Sequence, residues 1–202
     1  MKYALYYDYE TIGDVLMIVI DSQATPDRCD KKDNVAILYK NDTLVGVNIF
    51  DISKIIKIKA KGFIPLVNKQ ILDVINHVLE NAGLPKLELQ KESGFRVAKI
   101  VEIEEHPDSD HLHICKVDVG DKEPLQIVCG AFNAREDLIC VCALPYTFMP
   151  NGHQIVPDKL LGVASSGMLC SGRELNLEGY EGKRGLLELN NEYKVGSDFW
   201  TY

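Results

Sequence analysis

Residues 159–175 read KLLGVASSGMLCSGREL, from Lys159 to Leu175. Small residues (Gly162, Ala164, Ser165, Ser166, Gly167 and Ser171) surround one flexible apolar side chain, Met168. Small residues let a backbone come close to a packed neighbour or to a ligand. Hydroxyls and exposed backbone N–H groups suit phosphate or sugar oxygens. Lys159 and Arg173 place a positive charge near either end, and the residues that follow read as an acidic, helix-like tail. A second stretch, HPDSDHLHICKVDVG from His106 to Gly120, is the other unusual run.

The surrounding pattern from Phe95 onward is short strands and turns. Apolar or alternating runs fall at Phe95–Glu104, Leu112–Val119, Leu125–Cys129, Leu138–Leu144, His153–Val156 and Leu186–Leu189, with Gly or Pro in most gaps. Roughly 110 residues of such segments without a long helix predict a small β-barrel or sandwich. Before it, GLPKLELQKES (Gly83 to Ser93) reads as a linker, so the boundary is placed near residue 90. The domains are thus expected at 1–90 and 91–202.

The first domain is read as α+β. Val15–Ile20 is an apolar strand, and Val35–Tyr39 and Leu44–Phe50 flank a polar turn, a hairpin signal. Asp21–Asn34 reads as a loop. Ile71, Leu72, Ile75, Val78, Leu79 and Ala82 recur at helical spacing, predicting a helix over about 69–81, with Asn68 as N-cap and Gly83 and Pro85 as the stop. Lys54, Lys57, Lys59 and Lys61 are the densest basic cluster. In a strand the last three share a face, either a solvated edge or an auxiliary phosphate contact.

The chain of 202 residues carries 22 basic and 30 acidic side chains, net charge −8. That excludes a general polyanion coat and leaves room only for a local cationic patch. The second domain is the acidic one, with ten basic and seventeen acidic residues in 93–202. VLMIVI, the strongest apolar run, is too short to span a bilayer, and no signal peptide is visible. A soluble, cytoplasmic protein with no membrane partner is expected.

Catalytic and cofactor motifs are absent. Gly162–Gly167 is not G-x-S-x-G, and no Gly-rich phosphate loop or G-x-G-x-x-G occurs. His106, Asp108, Asp110, His111 and His113 offer metal-ligand chemistry, but His-Pro-Asp-Ser-Asp reads more simply as a turn. The six cysteines lack C-x-x-C spacing and read as buried thiols. Cys170, with His106 or His153 as base, is the one arrangement open to nucleophilic chemistry. No catalytic residue, metal or cofactor is assigned.

Several ordered motifs together carry a resemblance. They are His106–Leu112, Cys115–Gly120, Gln126–Ala131 with Asn133, and Lys159–Leu160 through Gly162–Val163 to Ser166–Ser171 and Glu174–Leu175. Residues 93–190 resemble the tRNA-binding domain family. That family occurs in free-standing tRNA-binding proteins, in some methionyl-tRNA synthetases and in the N-terminal part of the bacterial phenylalanyl-tRNA synthetase β subunit. With its first 90 residues, which are DUF4479-like, the whole chain resembles the stand-alone YtpR-type members.

The resemblance implies an all-β OB-fold barrel in the second domain and tRNA as partner, recognised by shape and backbone contacts without catalysis. It implies an RNA-binding set of Asn133, Arg135, Lys159, Ser165, Ser166, Gly167, Met168, Ser171 and Arg173. Asn133 and Arg135 enter because their loop borders the same face by resemblance. A homodimer is consistent with free-standing relatives. Departures from the family pattern are Leu161 where Arg is frequent, Phe132 where Pro is frequent and Gly172 where Glu is frequent. The competing readings are a protein-interaction or chaperone-like module on the same fold, and an enzyme acting on tRNA through Cys170 or the histidine cluster.

Overall fold

The structure is a computed structural model that describes residues 2–201. The chain divides into two compact units, Met1–Lys91 with Asn151–His153, and Glu92–Pro150 with Gln154–Tyr202.

The first unit is built on a six-stranded antiparallel sheet. Its strands are β1 (Ala4–Tyr7), β2 (Val15–Val19), β3 (Arg28–Lys32), β4 (Val35–Lys40), β5 (Thr43–Phe50) and β6 (Gly62–Ile64), in the order β3-β4-β5-β2-β1-β6. A one-turn helix α1 (Tyr9–Ile12) links β1 to β2, and the long helix α2 runs Lys69–Asn81. The β4–β5 hairpin turns at Asn41 and Asp42, both with positive φ, as a two-residue turn matched to strand twist requires.

Helix α2 begins where expected, with the Asn68 side chain accepting from the Ile71 N–H at 2.9 Å. It ends in a Schellman pattern. Gly83 adopts φ +79°, its N–H donates to Glu80 O, and the Leu84 N–H donates to Leu79 O. Its buried stripe, Leu72, Ile75, Val78 and Leu79, packs with Leu5, Leu16, Ile18, Val47 and Ile49 of the sheet. Each such side chain contributes roughly 1.5–3 kcal/mol relative to exposure. Among the described residues six strands stand against this single long helix, so the unit is largely β rather than an even α+β mixture.

Two expectations in this unit are corrected. Asp21–Asn34 is not all loop, because Arg28–Lys32 forms β3, a fully exposed edge strand paired to β4 and capped by Arg28 over the Tyr39 ring at 4.3 Å. Its polar sequence carries no apolar alternation to reveal it. Residues 56–60 are in no strand. They still alternate, with Ile56, Ile58 and Ala60 packed on the core and Lys57, Lys59 and Lys61 exposed.

The second unit holds a five-stranded antiparallel sheet curled into a half-barrel. Its strands are β7 (Phe95–Glu105), β8 (His113–Asp118), β9 (Leu125–Cys129), β10 (Ile139–Ala143) and β13 (Met168–Cys170), in the order β13-β10-β7-β8-β9. A register shift between Ile100 and Glu102 bends the long β7. Inside lie Ala98, Ile100, Cys115, Val117, Ile127, Cys140, Cys142 and Leu169, all buried. A separate hairpin, β11 (Asp158–Leu160) and β12 (Val163–Ser165), turns at Leu161 and Gly162.

The edge strand β9 is stitched to β12 and to Ser166, the residues that lead into β13, across a seam. The Ser166 N–H donates to Gln126 O at 2.8 Å. The Ser165 hydroxyl accepts from the Val128 N–H at 3.1 Å, and the Gln126 amide donates to Ala164 O at 2.9 Å. The small-residue stretch is therefore three short strands whose middle part is stitched to β9.

Three expectations differ here. Leu186–Leu189 is no strand, because its N–H groups bond alternately to two others: Leu187 to Cys170 O in β13 and Leu189 to Ile139 O in β10. In His153–Val156 only Gln154 forms a bridge, with Phe148. The acidic tail after Leu175 makes turns and no helix. No helix among the described residues is long and apolar enough to cross a membrane.

Candidate functional site

The seam residues have the geometry of structural parts. Gly167 has φ +117°, and a Cβ there would lie 3.0 Å from Ala143 O and 3.2 Å from Ile127 Cδ1. Its smallness lets the chain pass against the barrel's own wall. Ser165 and Ser166 are the stitches already described. Ser171 is buried and closes a capping box. Its hydroxyl donates to Glu174 Oε2 at 2.7 Å, its N–H donates to the same oxygen at 2.8 Å, and the Glu174 N–H donates back to Ser171 Oγ at 3.2 Å.

Asn133 and Arg135 form a clamp. The Asn133 amide oxygen accepts from the Leu186 N–H at 2.8 Å, and its NH2 donates to Leu186 O and to Glu188 Oε1 at 3.2 and 2.9 Å. Arg135 makes a bidentate pair with Glu188 at 2.9 and 2.7 Å. That guanidinium, then Asn133, pulls the Glu188 carboxyl down to about 2. The loop that follows β9 is thereby fixed to residues 186–188, with both side chains engaged inside the unit.

Met168, Arg173 and Lys159 remain outward or half-outward. Met168 and Arg173 line a cavity of about 490 Å³ that opens beside the seam. Its apolar lining includes Val128, Met168 and Leu186. Its cations are Arg173, Lys183 and Arg184, with Glu174 as the acidic member. Among the described residues Arg173 and Arg184 make no ion pair. Lys183 sits over the Tyr180 ring at 4.2 Å. The same ring covers Gly172, where a Cβ would come within 2.2 Å of Tyr180 Cδ1. Tyr180 therefore gathers Lys183 beside Arg173, and Gly172 makes room for it.

Lys183 and Arg184 were not legible as site residues. The signal available was an adjacent Lys-Arg pair between Gly182 and Gly185, just before the buried Leu186 and Leu187. Lys159 stands apart from this groove's lining, exposed on β11 with Leu160, next to the exposed Leu161 of the turn.

The chemistry-bearing alternatives are engaged in structure. His106 is buried; its Nδ1 accepts from the Asp108 N–H at 3.1 Å, which leaves Nε2–H to donate to Leu160 O at 3.2 Å. It ties the Pro107 turn to the β11–β12 hairpin. Cys170 is fully buried, and burial first, then neighbouring Cys142, pushes its thiol well above the ordinary range. A thiol so placed is a poor nucleophile. Among the described residues no group of three His, Cys, Asp or Glu is arranged to hold a metal.

The second unit is thus a half-barrel β domain with a cationic groove beside its seam. Residues 95–198 match the family described as "Putative tRNA binding domain", and residues 22–90 match "Domain of unknown function (DUF4479)". The chain is 35% identical over 199 residues to the "Putative tRNA-binding protein YtpR" of Bacillus subtilis, covering 96% of this chain and 98% of that one. It is 48% identical over 110 residues to the phenylalanine–tRNA ligase beta subunit of Methylococcus capsulatus, covering 54% of this chain and 14% of the subunit. The C-terminal domain of Plasmodium vivax p43 aligns at 21% identity and TM-score 0.36 over 50% of this chain and 56% of that one, too distant to bear on fold or function. The chain belongs to the tRNA-binding domain family, with a DUF4479 domain ahead of it.

Proposed function

We propose that the chain is a non-catalytic tRNA-binding protein whose second unit, an OB-type barrel, reads folded tRNA by backbone and shape. The observation that carries this reading is the open groove bearing Arg173, Lys183 and Arg184 on a domain that is otherwise acidic. Cations concentrated at one concave site suit phosphates better than the same charges dispersed. Met168 in the lining offers a soft apolar surface to a sugar or base. The expected set divides into two roles. Arg173, Met168 and the hairpin's Lys159 face the RNA, joined by Lys183 and Arg184. Asn133, Arg135, Ser165, Ser166, Gly167 and Ser171 hold the walls that position them.

The sheet order supports the OB reading. Numbered within this sheet it is 5-4-1-2-3, the order that gives a closed five-stranded ring when the third and fifth strands meet, and the seam bonds hold the residues just before the fifth strand against the third.

The test is competition between folded tRNA and an unrelated hairpin RNA of equal length, at several salt concentrations. Affinity for tRNA should exceed that for the hairpin and fall steeply with salt, by about 0.7 to 0.9 log units per log salt for each phosphate contact. Absence of binding at low salt would sink the proposal. Recovery of protein partners that persist after nuclease treatment, with no RNA bound, would favour the interaction-module reading.

A further inference from the structure

Phe132 is the most exposed large apolar side chain among the described residues, at 79%. It stands at the lip of the groove. Gly185, which lines the cavity, has φ +90°, and a Cβ there would come within 3.0 Å of Phe132 Cε1 and 2.6 Å of Asn133 Oδ1. So the ring lies against the Gly185 backbone, and any larger residue at 185 would drive it away. Lys183 and Arg184 precede Gly185 in the chain, so their Cα atoms lie within about 7.6 Å of it.

The ring is also held in place. Phe132 is followed by Asn133, whose three hydrogen bonds to Leu186 and Glu188 fix the loop, and Arg135 locks the same loop through its bidentate pair. An exposed aromatic on a mobile loop loses entropy when it binds; one on a clamped loop is already positioned. Phe132 makes no aromatic pair among the described residues, and most of its ring surface is exposed to solvent. A rigid ring beside two or three cations is the arrangement that stacks an unpaired base while the flanking phosphates meet the charges.

We infer that Phe132 is a stacking platform for an unpaired nucleobase, so that the groove takes a single-stranded segment of RNA as well as backbone. This rests on the groove being the RNA site. A buried double-stranded base offers no free face, so the ligand class is an overhang or loop nucleotide.

The experiment uses the full chain and two RNA hairpins, identical except that one carries a four-nucleotide 3′ overhang and the other is blunt. Wild type should bind the overhang hairpin more tightly. Phe132→Ala should weaken overhang binding by about 5- to 150-fold, the range of one lost base–aromatic stack, and leave blunt binding and the salt slope unchanged. Phe132→Trp should restore the overhang preference. Because Phe132 is so exposed, both variants should keep the wild-type melting temperature. Equal weakening for both hairpins, or no weakening for either while wild type binds both, would overturn the inference and leave the groove standing. Failure of wild type to bind either hairpin at low salt, while it binds folded tRNA, would overturn the inference alone; failure to bind folded tRNA as well would overturn both.

Discussion

Two cationic regions of this molecule contrast in how they are made. In the first unit Lys57, Lys59 and Lys61 follow one another at alternate positions, exposed along an extended segment whose other side packs on the core. In the second unit Arg173, Lys183 and Arg184 are up to eleven positions apart and meet only because Tyr180 packs on Gly172 and Lys183 packs on Tyr180. The first is a local pattern; the second is a product of folding. Density of charge in the sequence and concavity of charge in space are different properties, and ligand capture depends on the second.

The contrast breaks most sharply under charge removal. A triple Arg173→Gln, Lys183→Gln, Arg184→Gln variant should lose about 100-fold or more in tRNA affinity near 0.1 M salt, with thermal unfolding unchanged. Removing the row instead, by Lys57→Gln, Lys59→Gln and Lys61→Gln, should cost about tenfold or less, because an exposed row outside any cavity holds its phosphates loosely. Filter binding or fluorescence anisotropy ranks the two. A larger effect from the row would invert the comparison.

A subtler break separates charges that face RNA from charges that hold the wall. Asn133→Ala leaves the buried Leu186 N–H without its acceptor and should destabilise the protein by about 1–3 kcal/mol, read by denaturant unfolding. Arg135→Gln should lower the melting temperature by a few degrees and leave the salt slope of tRNA binding unchanged. If Arg135→Gln flattens that slope instead, the clamp is itself a phosphate contact.

The clamp also has a pH signature. The folded Glu188 carboxyl is held down to about 2 against an ordinary value of 4.5. A depressed carboxyl contributes stability that is present above its unfolded value and lost as pH falls through the folded one. Acid unfolding should therefore steepen between about pH 4.5 and 2, and Glu188→Gln should remove that component. Salt should shrink it, since the pair is half exposed.

The smallest effect expected is at the β11–β12 turn. Leu161 sits at φ +45° and is 55% exposed, an unfavourable conformation for a branched residue. Leu161→Gly should stabilise the hairpin by about 1 kcal/mol. Leu161→Arg adds a cation near Lys159 and should tighten tRNA binding a few-fold.

Much of the fold was legible, and the reasons are local. Helix α2 carried its own cap, its apolar stripe and its glycine stop, all within 16 residues of one another. The β4–β5 hairpin carried its turn. The polar edge strand β3 was invisible, since its partner rather than its own side chains makes it a strand. The seam was half visible: small residues announced a close approach without saying to what. Gly167 approaches Ala143, and Ser165 meets Val128, contacts that span dozens of residues of chain. The site followed the same rule. Arg173 and Met168, named through the resemblance, line the cavity, whereas the pairing of Arg135 with Glu188, 53 positions away, had no local signal. That Lys183 and Arg184 line the same cavity as Arg173 had no local signal either, because nothing near them in sequence says that Tyr180 turns back onto Gly172.

The groove itself is tested most directly by the salt dependence of folded-tRNA binding, measured side by side for wild type and the Arg173/Lys183/Arg184 triple variant. A steep wild-type slope that flattens by about 2 to 3 in the variant, with both proteins unfolding at the same temperature, is the predicted result. Two parallel lines of equal affinity, or a wild type that binds no tRNA at low salt, would contradict it.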